Sequence, residues 1–163
     1  MSVKDYETRL YVEDNLSIGK SLVLENDRSH YLRSVLRLKE NSQVALFNGE
    51  EGEWLSAIKT IAKKFVELEV VEQIKSQEAI SDIWLVFAPI KRTRIDYLAQ
   101  KATELGAGAL WPVFTKYTSV SRVNTERLKS NSIEAAEQSG RLTVPKILDP
   151  IDFDTLIEKW PHD

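Results

Sequence analysis

The chain has 163 residues, 42% hydrophobic and 29% charged, and its 22 Lys and Arg against 25 Asp and Glu give a net charge of −3. That length allows one large domain or two small ones, and the mildly acidic balance argues against indiscriminate nucleic-acid binding through bulk charge. The absence of cysteine excludes disulfides and thiolate chemistry, and two histidines, His30 and His162, are too few for a histidine-rich metal site, so no metal is expected.

The N-terminus lacks the apolar core of a signal peptide, and no apolar run reaches the ~20 residues that span a bilayer. A cytoplasmic protein with no membrane partner is predicted. Residues 8–12 and 20–24 read as short strands rich in β-branched and aromatic types. Asp27 or Ser29 can cap a short helix with Leu32, Val35 and Leu36 facing inward, which puts Arg33 and Arg37 one turn apart on the same side. Residues 43–47 form a strand, and Asn48-Gly49 is a strong turn signal. Residues 54–61 make the next strand and Lys63-Lys64 the next turn. Residues 65–71 alternate, with Val66, Leu68 and Val70 on one side and Glu67 and Glu69 on the other. Five or six short strands with one helix predict a closed or nearly closed barrel over residues 1–75.

The polar residues 72–82 read as a linker. A strand over 83–88, a helix over 93–105, a strand over 109–114 and a helix within 124–139 follow, with a third strand candidate at 144–148 and a last helix at 153–159. This βαβα alternation predicts a small parallel sheet with right-handed crossovers, its faces and edges poorly covered. Ile95, Leu98, Ala99, Ala102 and Leu105 turn the first helix toward a core, and Gly106 ends it. Trp84 and Trp111 lie within apolar strands and are expected in the core.

Charge is focused locally. Residues 28–37 hold three arginines and no acid, and residues 91–101 hold four bases against Asp96 alone. Arg33 and Arg37 suit bidentate contact with phosphate, or are two surface arginines. His30 more simply caps its helix, and Phe47-Asn48-Gly49 reads as a hairpin turn. Lys91, Arg92 and Arg94 follow the carboxyl end of a strand, where open α/β sheets bind ligands, or they solvate a loop. Lys101 and Glu104 read as an ion pair of small stability value. Glu134, Glu137, Gln138 and Arg141 fall at i, i+3, i+4 and i+7 and share one helical face. Gly140 offers the left-handed turn that ends the helix, and Pro145 blocks its continuation. Such a face grips a polar ligand or a partner subunit, or is simply solvated.

Several of these segments occur together, in order and at the spacing of one family. They are His30 to Arg37, Phe47-Asn48-Gly49, Lys91-Arg92-Thr93-Arg94, Gln100 to Gly106, Trp111-Pro112, residues 115–119 and Glu134 to Arg141. Through them, over residues 8–147, the chain resembles the RsmE-type methyltransferases, which modify N3 of a uridine in small-subunit ribosomal RNA. The resemblance implies an α+β then α/β architecture. A PUA-like β-barrel over residues 1–75 binds RNA, and the first part of a SPOUT methyltransferase domain occupies residues 76–163. Family members continue into a C-terminal trefoil knot that forms most of the S-adenosylmethionine pocket. The six glycines of this chain are scattered singly, so a C-terminally truncated member without the main cofactor loops is expected.

The resemblance also implies S-adenosylmethionine as cofactor, 16S ribosomal RNA or the small ribosomal subunit as partner, and a homodimer at full length. RNA contacts fall to Arg33, Arg37, Lys91, Arg92 and Arg94, with Lys101, Glu104, Glu137 and Gln138 lining the cleft. Arg141, or a basic residue of the 91–94 cluster, is the candidate to stabilise the charge that develops as the uracil N3 proton leaves. No residue is marked as general base. The alternatives are an RNA-binding module or a remnant without methyl transfer, and a structural protein whose exposed sheet pairs with another chain.

Overall fold

Alternating apolar side chains build the first of two units, Met1–Glu78 and Ala79–Asp163. The computed structural model describes residues 6–160, with the side chain of Arg92 excepted. Strands β1 (Thr8–Tyr11), β2 (Ser21–Glu25), β3 (Gln43–Phe47), β4 (Glu53–Ile61) and β5 (Phe65–Lys75) lie in the order β1-β3-β4-β5-β2. β1 pairs parallel to β3, and the other neighbours are antiparallel. Register shifts along β4 bend it, and the sheet curls around one apolar face as an open half-barrel. Leu10, Leu22, Leu24, Val44, Leu46, Ile58, Val66 and Leu68 fill that face. β5 runs to Lys75, beyond the predicted end at residue 71, because Gln73 and Lys75 find ladder partners in Trp54 and Glu53. Pairing, not apolar alternation, sets where this strand stops.

The connection from β2 to β3 departs from the predicted helix. α1 (Asn26–His30) runs into a π-helical turn, Tyr31–Val35, closed by Leu36 N–H donating to Tyr31 O at 2.9 Å. The extra residue in that turn rotates the residues after it about the helix axis. Leu32 stays fully buried, but Val35, expected inside, is 58% exposed. Glu25, with no side-chain cap, precedes the helix in place of Asp27 or Ser29, and Ser29 Oγ donates instead to Asn26 O and Lys64 O. Arg37 lies past the helix end with φ +54°, so it does not share a helical face with Arg33. Asn48 closes the β3–β4 turn as expected, its Oδ1 accepting from the N–H groups of Glu50 and Glu51 at 3.0 and 2.9 Å.

The second unit contains β6 (Trp84–Phe87), α2 (Arg92–Glu104), β7 (Ala109–Phe114), α3 (Thr125–Ser139), β8 (Lys146–Ile147), β9 (Ile151–Asp152) and α4 (Phe153–Lys159). All its strand pairs are parallel. β7 is central, with β6 on one side. β8 pairs on the other side, opposite Ala109–Leu110, and β9 pairs with the end of β7 at Val113–Phe114. β9 is too short for any sequence pattern to mark. Helices α2 and α3 cover one sheet face over Phe87, Ile95, Ala99, Ala102, Leu110 and Leu128. On the other face Trp111, Val113 and Leu156 form a smaller core under α4.

Trp111 is buried as expected, and its Nε1 donates to Asp149 O at 3.1 Å. Trp84 is not in the core: 41% exposed, it meets Trp111 edge-on at 5.9 Å between ring centres. Trp160 stacks on Trp111 at 6.3 Å, and the three indoles form one surface cluster. Among the described residues no helix is long and apolar enough to cross a membrane.

Candidate functional site

β6 and β7 are parallel neighbours, so the loops after them, residues 88–91 and 115–124, leave the sheet at the same end. A cavity of about 540 Å³ opens there, within the size range of small-molecule sites. Ile90, Ile95, Val123 and Leu128 give it an apolar wall, and Asp96, Arg122, Asn124 and Arg127 are its polar members. Local chemistry shapes the second loop. Thr115 N–H donates to Thr118 Oγ1 at 2.8 Å, making a tight turn just past the strand. Asn124 then caps α3, its Oδ1 accepting from Arg127 N–H at 2.9 Å.

That cap starts α3 in the register that aims Arg127 at α2. Arg127 Nε and Nη2 donate to the two oxygens of Asp96 at 2.8 and 2.6 Å, a bidentate pair, and Asn131 Nδ2 donates to Asp96 Oδ1 at 2.8 Å. The hydrogen bond to Asp96 raises the Arg127 pKa further above its ordinary value, against a smaller opposing effect of burial. Asp96 was notable in the sequence only as the one acid in a basic segment. Its partners, Arg127 and Asn131, are one helical turn apart, which is the signal that could have linked them. Arg122 is exposed at the cavity and meets no partner among the described residues. The sequence pattern carries no mark of it beyond its place in a loop after a strand.

The predicted site residues fall in three places. Lys91 immediately precedes α2 and Arg94 lies in its first turn; both are exposed and flank the cavity residues Ile90 and Ile95 in sequence. The side chain of Arg92 lies outside the described residues. Lys101, Glu104 and Arg141 are at the opposite end of α2, whose 13 residues span about 18 Å at ~1.5 Å per residue. There Lys101 Nζ donates to Glu104 Oε2 at 2.7 Å and Gln100 Nε2 to Glu104 Oε1 at 2.9 Å. The Lys101 hydrogen bond holds the Glu104 carboxyl below its ordinary pKa and, reciprocally, raises that of Lys101, with burial opposing both shifts.

Arg141 does not continue the helical face of Glu134, Glu137 and Gln138. Gly140 ends α3 with φ +77°, and the left-handed turn redirects the chain. Arg141 Nε donates to Glu104 O at 3.0 Å, and its guanidinium lies against Gly106, so it caps the carboxyl end of α2. Glu137 is half-buried, and Gln138 lines a separate groove between α2 and α3.

In the first unit, Arg33 Nη1 donates to Lys63 O at 2.6 Å and Ser29 Oγ to Lys64 O at 3.2 Å. The π-helical turn is thereby tied to the β4–β5 turn, and Lys63-Lys64, legible in sequence only as a turn, joins Arg33 on one patch. Arg37 is exposed. Among the described residues no group of three His, Cys, Asp or Glu could hold a metal ion.

Residues 76–163 match the family described as RNA methyltransferase domain, and residues 24–71 match the RNA methyltransferase PUA domain. The chain belongs to the RNA methyltransferase family. Similar members of the RNA methyltransferase family include the ribosomal RNA small subunit methyltransferase E of Rickettsia conorii, 36% identical over 152 residues, which cover 93% of this chain and 62% of the relative. The enzyme of the same name from Synechocystis is 30% identical, over 93% of this chain and 50% of the relative. A crystal structure of the Neisseria gonorrhoeae ribosomal RNA small subunit methyltransferase E bound to S-adenosyl methionine superposes with a TM-score of 0.86 at 30% identity, over 96% of this chain and 66% of that one. The chain therefore spans less than two thirds of each of these RNA methyltransferases. The PUA match contains the patch of Arg33, Lys63 and Lys64; the RNA methyltransferase match contains the cavity after β6 and β7.

Proposed function

We propose that this chain forms part of a cytoplasmic, S-adenosylmethionine-dependent methyltransferase of uridine N3 in 16S ribosomal RNA. In this reading residues 1–75 are a PUA-like RNA-binding domain and residues 76–163 the opening part of a SPOUT-type domain, homodimeric in the whole enzyme. The observation that carries it is the cavity at the carboxyl ends of β6 and β7, with Arg122 in its lining and the exposed Lys91 and Arg94 next in sequence to its residues Ile90 and Ile95, in a chain similar to ribosomal RNA methyltransferases along most of its length.

S-adenosylmethionine, when bound, supplies the electrophilic methyl group. The cavity does not by itself fit that cofactor. Neither loop 88–91 nor loop 115–124 contains a glycine to let backbone close on an adenosine, and Arg122 would repel a sulfonium, while the Arg127 charge is already matched by Asp96. The residues present act instead on the RNA side. Arg33, Arg37, Lys63 and Lys64 take phosphates on the first unit, and Lys91, Arg92 and Arg94, at the start of α2, take them on the second. Because N3 is hidden in a Watson–Crick pair, the uridine must be presented unpaired. Losing the N3 proton puts negative charge on the uracil oxygens, and Arg122, exposed at the cavity, is the guanidinium placed to stabilise it. Arg141, anchored at the far end of α2, serves better as a brace for that helix than as the group that meets the base. The misfit with the cofactor also favours a second reading, in which these residues bind RNA without transferring methyl groups on their own.

The test is a fluorescence-anisotropy titration of a uridine-containing RNA loop at several salt concentrations. Binding is expected to weaken with salt, and Arg33→Ala with Arg37→Ala should flatten the log–log slope by ~0.7 for each phosphate no longer neutralised on single-stranded RNA. A chain that does not bind the loop at low salt overturns the RNA-side assignment. Mass-spectrometric detection of 3-methyluridine in small-subunit RNA, using the whole enzyme, separates methyl transfer from binding alone.

A further inference from the structure

A smaller groove, of about 270 Å³, runs between α2 and α3 and shares only Asp96 with the larger cavity. α2 contributes Tyr97 and Gln100, and α3 contributes Asn131, Glu134 and Gln138. Their amide nitrogens turn toward carboxylates: Gln100 Nε2 to Glu104 at 2.9 Å, Asn131 Nδ2 to Asp96 at 2.8 Å, and Gln138 Nε2 to Glu134 at 3.3 Å. Those carboxylate partners also fix which amide atom is nitrogen. Three amide carbonyl oxygens and the Glu134 carboxylate are left to accept hydrogen bonds.

Among the described residues no lysine or arginine lines the groove. Arg127 pairs with Asp96, so among the described lining residues Glu134 is the carboxylate that sets the groove's charge. Tyr97, 62% exposed, adds an aromatic wall whose ring already attracts a cation, the Lys101 ammonium 5.6 Å from its centre. Acceptors, one net negative charge and an aromatic face are the complement of a guanidinium, which carries five donors in a plane and stacks on rings. They are the opposite of what a phosphate needs. The volume falls below the ~300–1,000 Å³ of ordinary small-molecule sites and suits a single side chain.

We infer that the α2–α3 groove is a docking site for an arginine side chain carried on a basic segment of a partner protein. This goes beyond the RNA reading and does not depend on it: RNA is held at the first unit and the cavity, while the groove takes protein.

The experiment titrates the chain with a glycine-flanked single-arginine peptide, followed by NMR of the side-chain amides of Gln100, Asn131 and Gln138. Those signals are expected to shift, with binding about tenfold weaker for the lysine counterpart and for the Glu134→Gln variant, because neither can form the bidentate charge-assisted pair. Tyr97→Phe keeps the aromatic wall and should bind as the parent does. Glu134→Gln alters an exposed residue, and its unchanged circular dichroism serves as the folding control. Peptide binding that is absent, or indifferent to Glu134→Gln, overturns the proposal. So does displacement of the same amide signals by an RNA oligonucleotide, or self-association of the chain that Glu134→Gln abolishes without peptide. RNA affinity unchanged in Glu134→Gln is the expected control and keeps this test separate from that of the RNA reading.

Discussion

Replacing Gly106 with alanine tests whether Arg141 is a brace of α2. Gly106 has φ +85°, and an added Cβ would sit 2.9 Å from Arg141 Nη1 and 3.0 Å from its Cζ. Two costs combine. The left-handed backbone costs an alanine roughly 1–2 kcal/mol. Displacing the guanidinium gives up the Arg141 Nε bond to Glu104 O, worth about 1 kcal/mol for a half-exposed contact. The expected loss is about 2–3 kcal/mol. Gly140 is the internal control. Its φ is +77° and nothing lies within 4 Å of its added Cβ, so Gly140→Ala pays only the backbone cost. Urea unfolding followed by far-UV circular dichroism reads both, because most helical residues belong to the second unit. The extra ~1 kcal/mol should lower the midpoint by roughly 0.3–1 M beyond the Gly140→Ala value, given m values of about 1–3 kcal/mol/M. In an Arg141→Ala background that difference should vanish. Equal costs for the two glycines with Arg141 in place would refute the brace.

Two further expectations concern the same helices. Asp96→Ala removes the acceptor shared by Arg127 and Asn131, so it should lower the urea midpoint more than Asp96→Asn, which keeps one acceptor; equal midpoints would mean the network does not hold α2 to α3. The Lys101–Glu104 pair should depend on pH at both ends. Because the Glu104 pKa is lowered, its contribution is complete above the ordinary glutamate value of about 4.3 and is lost as pH falls through the depressed one. Because that of Lys101 is raised, its contribution is complete below about 10.4 and is lost as pH rises through the elevated one. In a carboxyl NMR titration, Lys101→Met should move the Glu104 midpoint upward; an unmoved midpoint would assign the depression to another cause.

The elements most legible in the sequence are those whose limits are local. β7 and α4 span the predicted residues, and α3 begins at its Asn124 cap and ends at Gly140. What stayed hidden was decided by partners distant in sequence. β5 gains its last polar residues from β4, and one extra residue in a π-helical turn carries Val35 outward and separates Arg37 from Arg33. The helical face drawn through Arg141 crossed the very glycine that ends the helix. That conflict was visible in the sequence, and the structure resolves it in favour of the glycine. The Asp96 network required knowing that α2 and α3 are neighbours, which the βαβα order suggests but spacing within either helix does not state.

The tryptophan cluster gives the second unit an optical signature of its own. Trp84, Trp111 and Trp160 lie with ring centres 5.9–6.3 Å apart, close enough for their electronic transitions to mix and for excitation to pass among them. Trp54, the remaining indole, belongs to the other unit. Near-ultraviolet dichroism of the coupled trio would thus report whether this sheet face is assembled. Single replacement of Trp160 by phenylalanine would show how much of that signal the stacked pair carries.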